Sequence, residues 1–352
     1  MKEKAKVILR RADAYNPSAI AKIIGDGLAE FGLAPRIQGK ITIKPNVVMA
    51  HHKVTPSAYT RPEFLDGLLT ALEEKAQGEP EITVAEKCGA AIPTSRMFRR
   101  AGYYRLRKKH RFKLRPIEEA RKKTVRLEKG KVHRKVRTSR EIAERDFLIY
   151  APKLKTNALA HDVVCAHIFH LDPEKIGHLA AARARGYGSL DLGDIEIDGD
   201  ISLQEIRERT KTWETGFIRA DDVDCNIKIR SGEPYCTGGC HGVFLDWLYM
   251  IRDRKPKLWA KLPAWTAVIG KYKGDITANR LLLIGACTEI EGRVKAKRKV
   301  RIRGCPPKHK TLVLLLFLRA GIINPLFRFD LIIDSYPFLF WTWFKRFITG
   351  RF

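Results

Sequence analysis

Lys40-Ile41-Thr42-Ile43-Lys44-Pro45-Asn46-Val47-Val48 decides the fold class. Lys40 to Ile43 reads as a strand. Ahead of it Ser18 to Phe31 reads as an amphipathic helix, and Val7 to Leu9 as an earlier strand. Strand, helix, strand in that order is the start of an α/β fold. Pro17-Ser18 opens the helix, and Gly32 follows its last apolar residue, where glycine stops a helix. The strand at 40 delivers Lys44 and Asn46 to its carboxyl end, where open α/β sheets bind ligands. Downstream, Thr60-Arg61-Pro62-Glu63 starts another helix with Thr60 as its expected N-cap. Ile82 to Glu86 is the next strand, and the small residues after it in Lys87-Cys88-Gly89-Ala90-Ala91 read as a turn without a phosphate-loop signature. Ala143 to Tyr150 is a further strand, running into Ala151-Pro152-Lys153-Leu154-Lys155-Thr156-Asn157. The expectation is an open, mostly parallel sheet flanked by helices. Lys44, Asn46, Lys153 and Lys155 would then gather at one end of it around an anionic small molecule.

These stretches carry a resemblance. Lys-Pro-Asn at 44 to 46, the threonine-led helix at Thr60, the strand ending at Glu86 and Pro-Lys-Leu-Lys-Thr at 152 to 156 occur in series. They are followed by Ala160-His161-Asp162-Val163-Val164-Cys165-Ala166, Leu171-Asp172-Pro173, Gly186-Tyr187-Gly188 and Asp194-Ile195-Glu196-Ile197-Asp198-Gly199. In this order they resemble the domain of unknown function 362 family, found in bacteria and archaea and sometimes joined to iron-sulfur modules. The resemblance covers roughly the first 200 residues. One departure stands out. Family members carry a long segment, including another strand, where Thr156 and His161 here are nearly adjacent.

The chain has 352 residues, a formal charge of +28 and a pI near 10. That excess favours an anionic partner: nucleic acid, a phosphorylated ligand or an anionic membrane. It is concentrated between Arg96 and Arg140, with 20 Lys or Arg against 3 Glu. Thr124 to Leu127 and Lys131 to Val136 flank Lys129-Gly130 as a hairpin, and Tyr103, Tyr104 and Phe112 are interleaved with the cations. A nucleic-acid stacking surface would look like this, and so would a solvated basic face; no nucleic-acid motif accompanies it. Met1-Lys2-Glu3-Lys4-Ala5-Lys6 leads straight into Val7-Ile8-Leu9, too short an apolar stretch for a signal peptide. The expectation is a cytoplasmic protein, in which seven cysteines serve as metal ligands or free thiols.

Four of those cysteines lie beside glycine or proline: Cys236 and Cys240 in Tyr235-Cys236-Thr237-Gly238-Gly239-Cys240, Cys287 in Gly285-Ala286-Cys287-Thr288, and Cys305 in Gly304-Cys305-Pro306-Pro307. Loops of that kind turn several thiolates toward one point, for a [4Fe-4S] cluster or for Zn²⁺. Unrelated buried thiols are the third reading. The pattern resembles the proximal-cluster site of nickel-iron hydrogenase small subunits and their relative in respiratory complex I, which implies a [4Fe-4S] cluster on Cys236, Cys240, Cys287 and Cys305. His161, His167, His170 and His178 are a weaker metal constellation, because Pro173 interrupts their helix. The acidic run from Asp191 to Asp200 alternates with Ile195, Ile197 and Ile201 as a half-buried strand does. Past Lys310, Leu312 to Leu318 is apolar but short, and Tyr336 to Phe352 mixes aromatics with Lys345, Arg346 and Arg351. Such a tail suits either the surface of an anionic membrane or packing on a core. The chain is thus expected to comprise an α/β domain over 1–205 with a basic hairpin insertion near 96–140, a cysteine-bearing region over 206–310 and a tail over 311–352. In function it reads as an iron-sulfur protein linked to redox or metallocentre chemistry, at the inner face of the membrane if the tail anchors it. The alternatives are an anion-binding protein with zinc or no metal, and a nucleic-acid binder.

Overall fold

The computed structural model describes residues 4–51, 57–88, 93–128, 134–153, 159–213, 220–233 and 239–305, with single positions from 307 to 348. The chain divides into two compact units, Met1–Gly216 with Phe338–Phe352, and Phe217–Pro337. Both are α/β, with parallel sheets flanked by helices.

In chain order the first unit contains β1 (Ala5–Leu9), α1 (Pro17–Glu30), β2 (Lys40–Pro45), α2 (Pro62–Lys75), β3 (Glu81–Glu86), α3 (Thr94–Arg100) and α4 (Tyr103–Leu106). Then come β4 (Lys113–Pro116), β5 (Lys122–Arg126), β6 (Lys135–Ser139), α5 (Arg140–Ala143), β7 (Phe147–Ala151), α6 (Leu159–Ile168), α7 (Gly177–Ala184), β8 (Ile195–Gly199) and α8 (Leu203–Thr210). Its central sheet is all parallel in the order β4-β3-β2-β7. Ile41, Ile43, Ile82 and Val84 are buried on one face of it and Thr42 and Thr83 on the other, the pattern of strands covered on both faces. β1 does not join this sheet. Both flanks of β2 are already taken, and β1 pairs instead with β8, the acidic strand, in parallel. Lys6 of β1 meets Glu196 and Asp198 of β8 at 3.2 and 3.5 Å.

Local signals set the helix ends. Asn16 caps α1, its side chain accepting from the Ser18 and Ala19 N–H groups. At the other end Gly32 N–H reaches Ala29 O and Leu33 N–H reaches Leu28 O, the paired bonds of a glycine-terminated helix. The expected cap of α2 is corrected: Arg61 holds the N-cap position without a side-chain bond, and Thr60 is turned elsewhere. The basic stretch supplies more than a hairpin. It builds α3, α4 and the sheet-edge strand β4, then the antiparallel ribbon β5–β6, whose turn at Lys129-Gly130 lies outside the described residues.

The second unit contains β9 (Ile227–Ser231), α9 (Cys240–Arg254), α10 (Pro256–Trp259), β10 (Trp265–Lys273), β11 (Ile276–Glu291) and β12 (Val294–Ile302), in a parallel sheet ordered β12-β11-β10-β9. Only Gly274 and Asp275 separate β10 from β11, yet the two strands run parallel, so the chain winds around as a coil instead of reversing as a hairpin. The pitch is regular: Ile276 pairs with Val294 and Ile284 with Ile302, eighteen residues on in each case. One face of the sheet, with Ile269, Leu282, Ile284 and Ile302, packs on Phe244, Trp247 and Leu248 of α9. Val268, Leu281 and Leu283 face the other way, toward Ile276, Ala278 and Ile290 on the returning part of the coil. β12 is the sheet edge. Its exposed Lys295, Lys297 and Lys299 are the charged residues that keep an edge from pairing with another chain. Among the described residues no helix is long and apolar enough to cross a membrane.

Candidate functional site

Lys44, Asn46 and Lys153 stand at the carboxyl ends of neighbouring strands, where Pro45 of β2 is in register with Ala151 of β7. Their polar groups are committed to different partners. Lys44 Nζ pairs with the buried Glu86 Oε2 at 2.9 Å, and Glu86 Oε1 accepts from Lys87 N–H at 2.7 Å. The Asn46 amide donates to Ala58 O at 3.1 Å. Lys153 Nζ donates to Tyr15 Oη at 3.0 Å and lies 5.2 Å from the centre of that ring. Lys155 lies outside the described residues. The structure therefore brings Lys44 to Glu86 and Lys153 to Tyr15, and neither partner was marked as a site residue by the sequence.

Thr60 holds this end of the sheet together. Its hydroxyl donates to Ala151 O at 2.7 Å and accepts from Asn46 N–H at 2.9 Å. Its own N–H reaches Asn46 O at 2.7 Å, and its carbonyl accepts from the buried Tyr103 hydroxyl at 2.7 Å. Nearby, Cys88 donates its thiol to Val48 O. Burial, with Glu118 and Glu86 adding, pushes that thiol up to about 12, so at neutral pH it is a protonated core group and no nucleophile.

The histidines of α6 and α7 do not form a centre. Cys165 Sγ lies 3.5 and 3.8 Å from the two ring nitrogens of His161, which places the sulfur over the ring and off the line of either lone pair. Burial and Asp162 raise the Cys165 thiol to about 11. An open cleft of about 580 Å³ lies at the opposite end of the sheet, between the starts of β3 and β4. Its charges are already paired, Arg111 with Glu79 at 3.1 Å and Lys113 with Glu81 at 2.6 Å.

In the second unit Cys240, Cys287 and Cys305 stand on neighbouring segments: the start of α9, the bulge of β11 and the stretch just past β12. Cys240 is buried and is the first residue of α9; Cys236 lies outside the described residues. Cys287 sits within β11, at a bulge where Gly285 to Thr288 stand opposite Gly270 alone. The backbone of Gly285 (φ +111°) passes close to α9: a methyl group there would stand 2.9 Å from Cys240 Sγ and 3.2 Å from Thr288 Oγ1. Ala286 N–H donates to Gly304 O at 2.8 Å, which holds the segment just before Cys287 against the segment just before Cys305, with the eighteen-residue register slipped by one past the strands.

Polar contacts fix this corner. Buried His241, next to Cys240, has Nε2 2.7 Å from Ser231 Oγ, and that hydroxyl donates to Asp221. The chain of contacts ties the start of α9 to the end of β9. Arg301 of β12 donates to Thr288 O, holding the bulge from the other side. Ser231, His241, Thr288 and Arg301 carry no local sequence signal for this role, because their partners are ten or more residues away. Among the described residues, no three His, Cys, Asp or Glu side chains are close enough together to hold a metal ion. The donor type at the corner fits a thiolate centre; a closed ligand shell is not formed by the described residues.

No curated protein and no solved structure was found to match the chain. A family model matches residues 41–166, the stretch that builds β2 through most of α6 and thus the central sheet with its Thr60 junction. Over that stretch the chain is similar to the family described as a domain of unknown function, DUF362.

Proposed function

We propose that the second unit is an iron-sulfur module, with Cys236, Cys240, Cys287 and Cys305 as ligands of a [4Fe-4S] cluster. The observation that carries this reading is the Ala286 N–H to Gly304 O bond, which holds the segments leading to Cys287 and Cys305 side by side, with Gly285 of the same bulge close to Cys240 Sγ. Segments distant in sequence are neighbours there, which a four-thiolate site requires. A bound cluster would supply one-electron transfer. The protein's own part is to set the thiolates: Ser231 and Asp221 hold His241 and so the start of α9, while Arg301 holds the bulge that presents Cys287. Arg301 and Arg303 add positive charge at the end of β12 and just past it, offsetting that of thiolate ligands. None of the described cysteines is in a disulfide, which suits a reducing cytoplasm.

Purification without oxygen, followed by iron, zinc and acid-labile sulfide analysis, tests the proposal. Iron with sulfide is expected, with broad visible absorbance. Cys287→Ser and Cys305→Ser should each lose most of both, and Cys165→Ser neither. Zinc without sulfide would replace the cluster by a Zn²⁺ site on the same residues. Protein without metal after anaerobic preparation would end the reading.

A further inference from the structure

We infer that the C-terminal aromatic helix is a docking surface for an anionic lipid membrane, on which it lies flat. The described residues from Pro337 to Ile348 are helical. Six of them, Phe340, Trp341, Trp343, Phe344, Phe347 and Ile348, are large and apolar, and all six are exposed. Ile348 is 65% exposed, Phe340 64%, Phe347 63% and Trp341 55%, so this face is not the buried side of a core helix. At about 100° per residue the six fall within an arc of roughly 160°. They also order one another, with Phe340 to Phe344 at 6.3 Å and Trp343 to Phe347 at 5.7 Å between ring centres.

A contiguous apolar face of this size needs an occupant. Charge selects it. The chain carries +28, and Lys345, Arg346 and Arg351 are interleaved with the aromatics in sequence. A second copy would bring +28 against +28, whereas an anionic lipid surface attracts the same charge while its interface accepts tryptophan and phenylalanine. Because no described helix is long and apolar enough to cross a bilayer, the face would be buried by lying in the headgroup region.

Flotation of the full chain with vesicles tests this. It should float with vesicles of phosphatidylglycerol and phosphatidylcholine, more weakly with phosphatidylcholine alone, and not without vesicles. Brominated acyl chains should quench its tryptophan emission. Trp341→Ser with Trp343→Ser and Phe347→Ser should lower partitioning by more than about tenfold, as loss of three apolar anchors requires. Lys345→Glu with Arg346→Glu should weaken binding to the anionic vesicles and leave the weak binding to neutral ones unchanged. Circular dichroism and thermal unfolding show whether the triple variant stays folded. If it does not, Trp341→Phe with Trp343→Phe keeps the apolar face and must lose the quenching while still floating. An intact chain that ignores anionic vesicles would overturn the inference. So would a folded triple variant that floats as well as the parent, or a dimer abolished by the triple variant in a chain that binds no vesicles.

Discussion

Thr60 shows what one residue does in this fold. The sequence assigns it to a helix cap, because threonine before proline at a helix start is a good capping signal. The structure uses the same hydroxyl to join the ends of β2 and β7, at 3% exposure. Sequence spacing cannot distinguish the two uses, since the partner, Ala151, is 91 residues away. Thr60→Ala should cost about 1–3 kcal/mol in urea unfolding, for it strands a buried N–H and a buried carbonyl, and Thr60→Ser should recover most of that. Equal loss in both variants would mean the methyl group matters and the hydroxyl does not. Asp66 is the second instructive residue. Burial works to raise its carboxyl, but His110 Nε2 at 2.6 Å and Lys109 Nζ at 2.8 Å outweigh burial and hold it below the usual carboxylate range. His110 is also 2.8 Å from Glu73 Oε2 through Nδ1, so each ring nitrogen has a carboxylate partner. A depressed carboxyl contributes stability above its unfolded pKa, about 3.9, that is lost as pH falls through the lower folded value. Asp66→Asn should therefore be less stable than the parent at pH 7, and the gap should close as pH falls from about 3.9 through the lower folded value. A gap in the urea midpoint that stayed constant across that range would remove Asp66 as its source.

At the scale of elements the two units differ in what the sequence discloses. In the first, α1, β2, β3 and β7 follow from alternation of strand and helix patterns together with Asn16, Gly32 and Pro62 at helix ends. In the second, Leu281 to Ile284 is legible as a strand, but the coil is not. Ile276 and Val294, Ala278 and Ala296, and Ile284 and Ile302 all match at eighteen residues, yet the preceding turn pairs Thr266 with Leu281, only fifteen apart. A repeat that changes length after one turn falls below what self-similarity detects. Gly270 absorbs that change, at φ +75°, where an added methyl would come within 2.0 Å of Gly232 O. Gly270→Ala should therefore unfold the coil, seen as loss of near-ultraviolet dichroism from Trp247 and Trp265; a variant that kept the parent spectrum would refute the close approach. The β5–β6 ribbon makes a smaller prediction. Arg126 and Lys135 are directly opposite, with no acidic partner for either among the described residues, and like charges so placed oppose pairing. Arg126→Glu should stabilise the protein by about 0.2–1 kcal/mol at low salt, with the gain shrinking as salt rises.

For the whole molecule, the family match over 41–166 explains the first unit's sheet and is silent on the second, where the candidate cysteines lie. The units have separate cores: Val163, Val164, Leu179 and Ile195 in the first, and Phe244, Trp247, Leu282 and Ile302 in the second. Stability linked to a ligand belongs to the state that binds it, so a cluster or metal at the cysteine corner should raise the stability of the second unit alone, by about 4 kcal/mol at a thousandfold excess over Kd. Tryptophan emission reports that unit selectively, because Trp247 and Trp265 are buried there while Trp213, Trp341 and Trp343 are exposed. Calorimetry of the metal-loaded protein should show two transitions, of which tryptophan emission follows one. Removing the metal with a chelator under anaerobic conditions should lower that transition by many degrees and leave the other in place. Cys305→Ser should reproduce the shift without chelator, whereas Thr60→Ala should lower only the transition that tryptophan emission does not follow. A single transition common to all probes, or a chelator effect on both, would show that the two units unfold as one cooperative body and that the centre stabilises more than the coil that holds it.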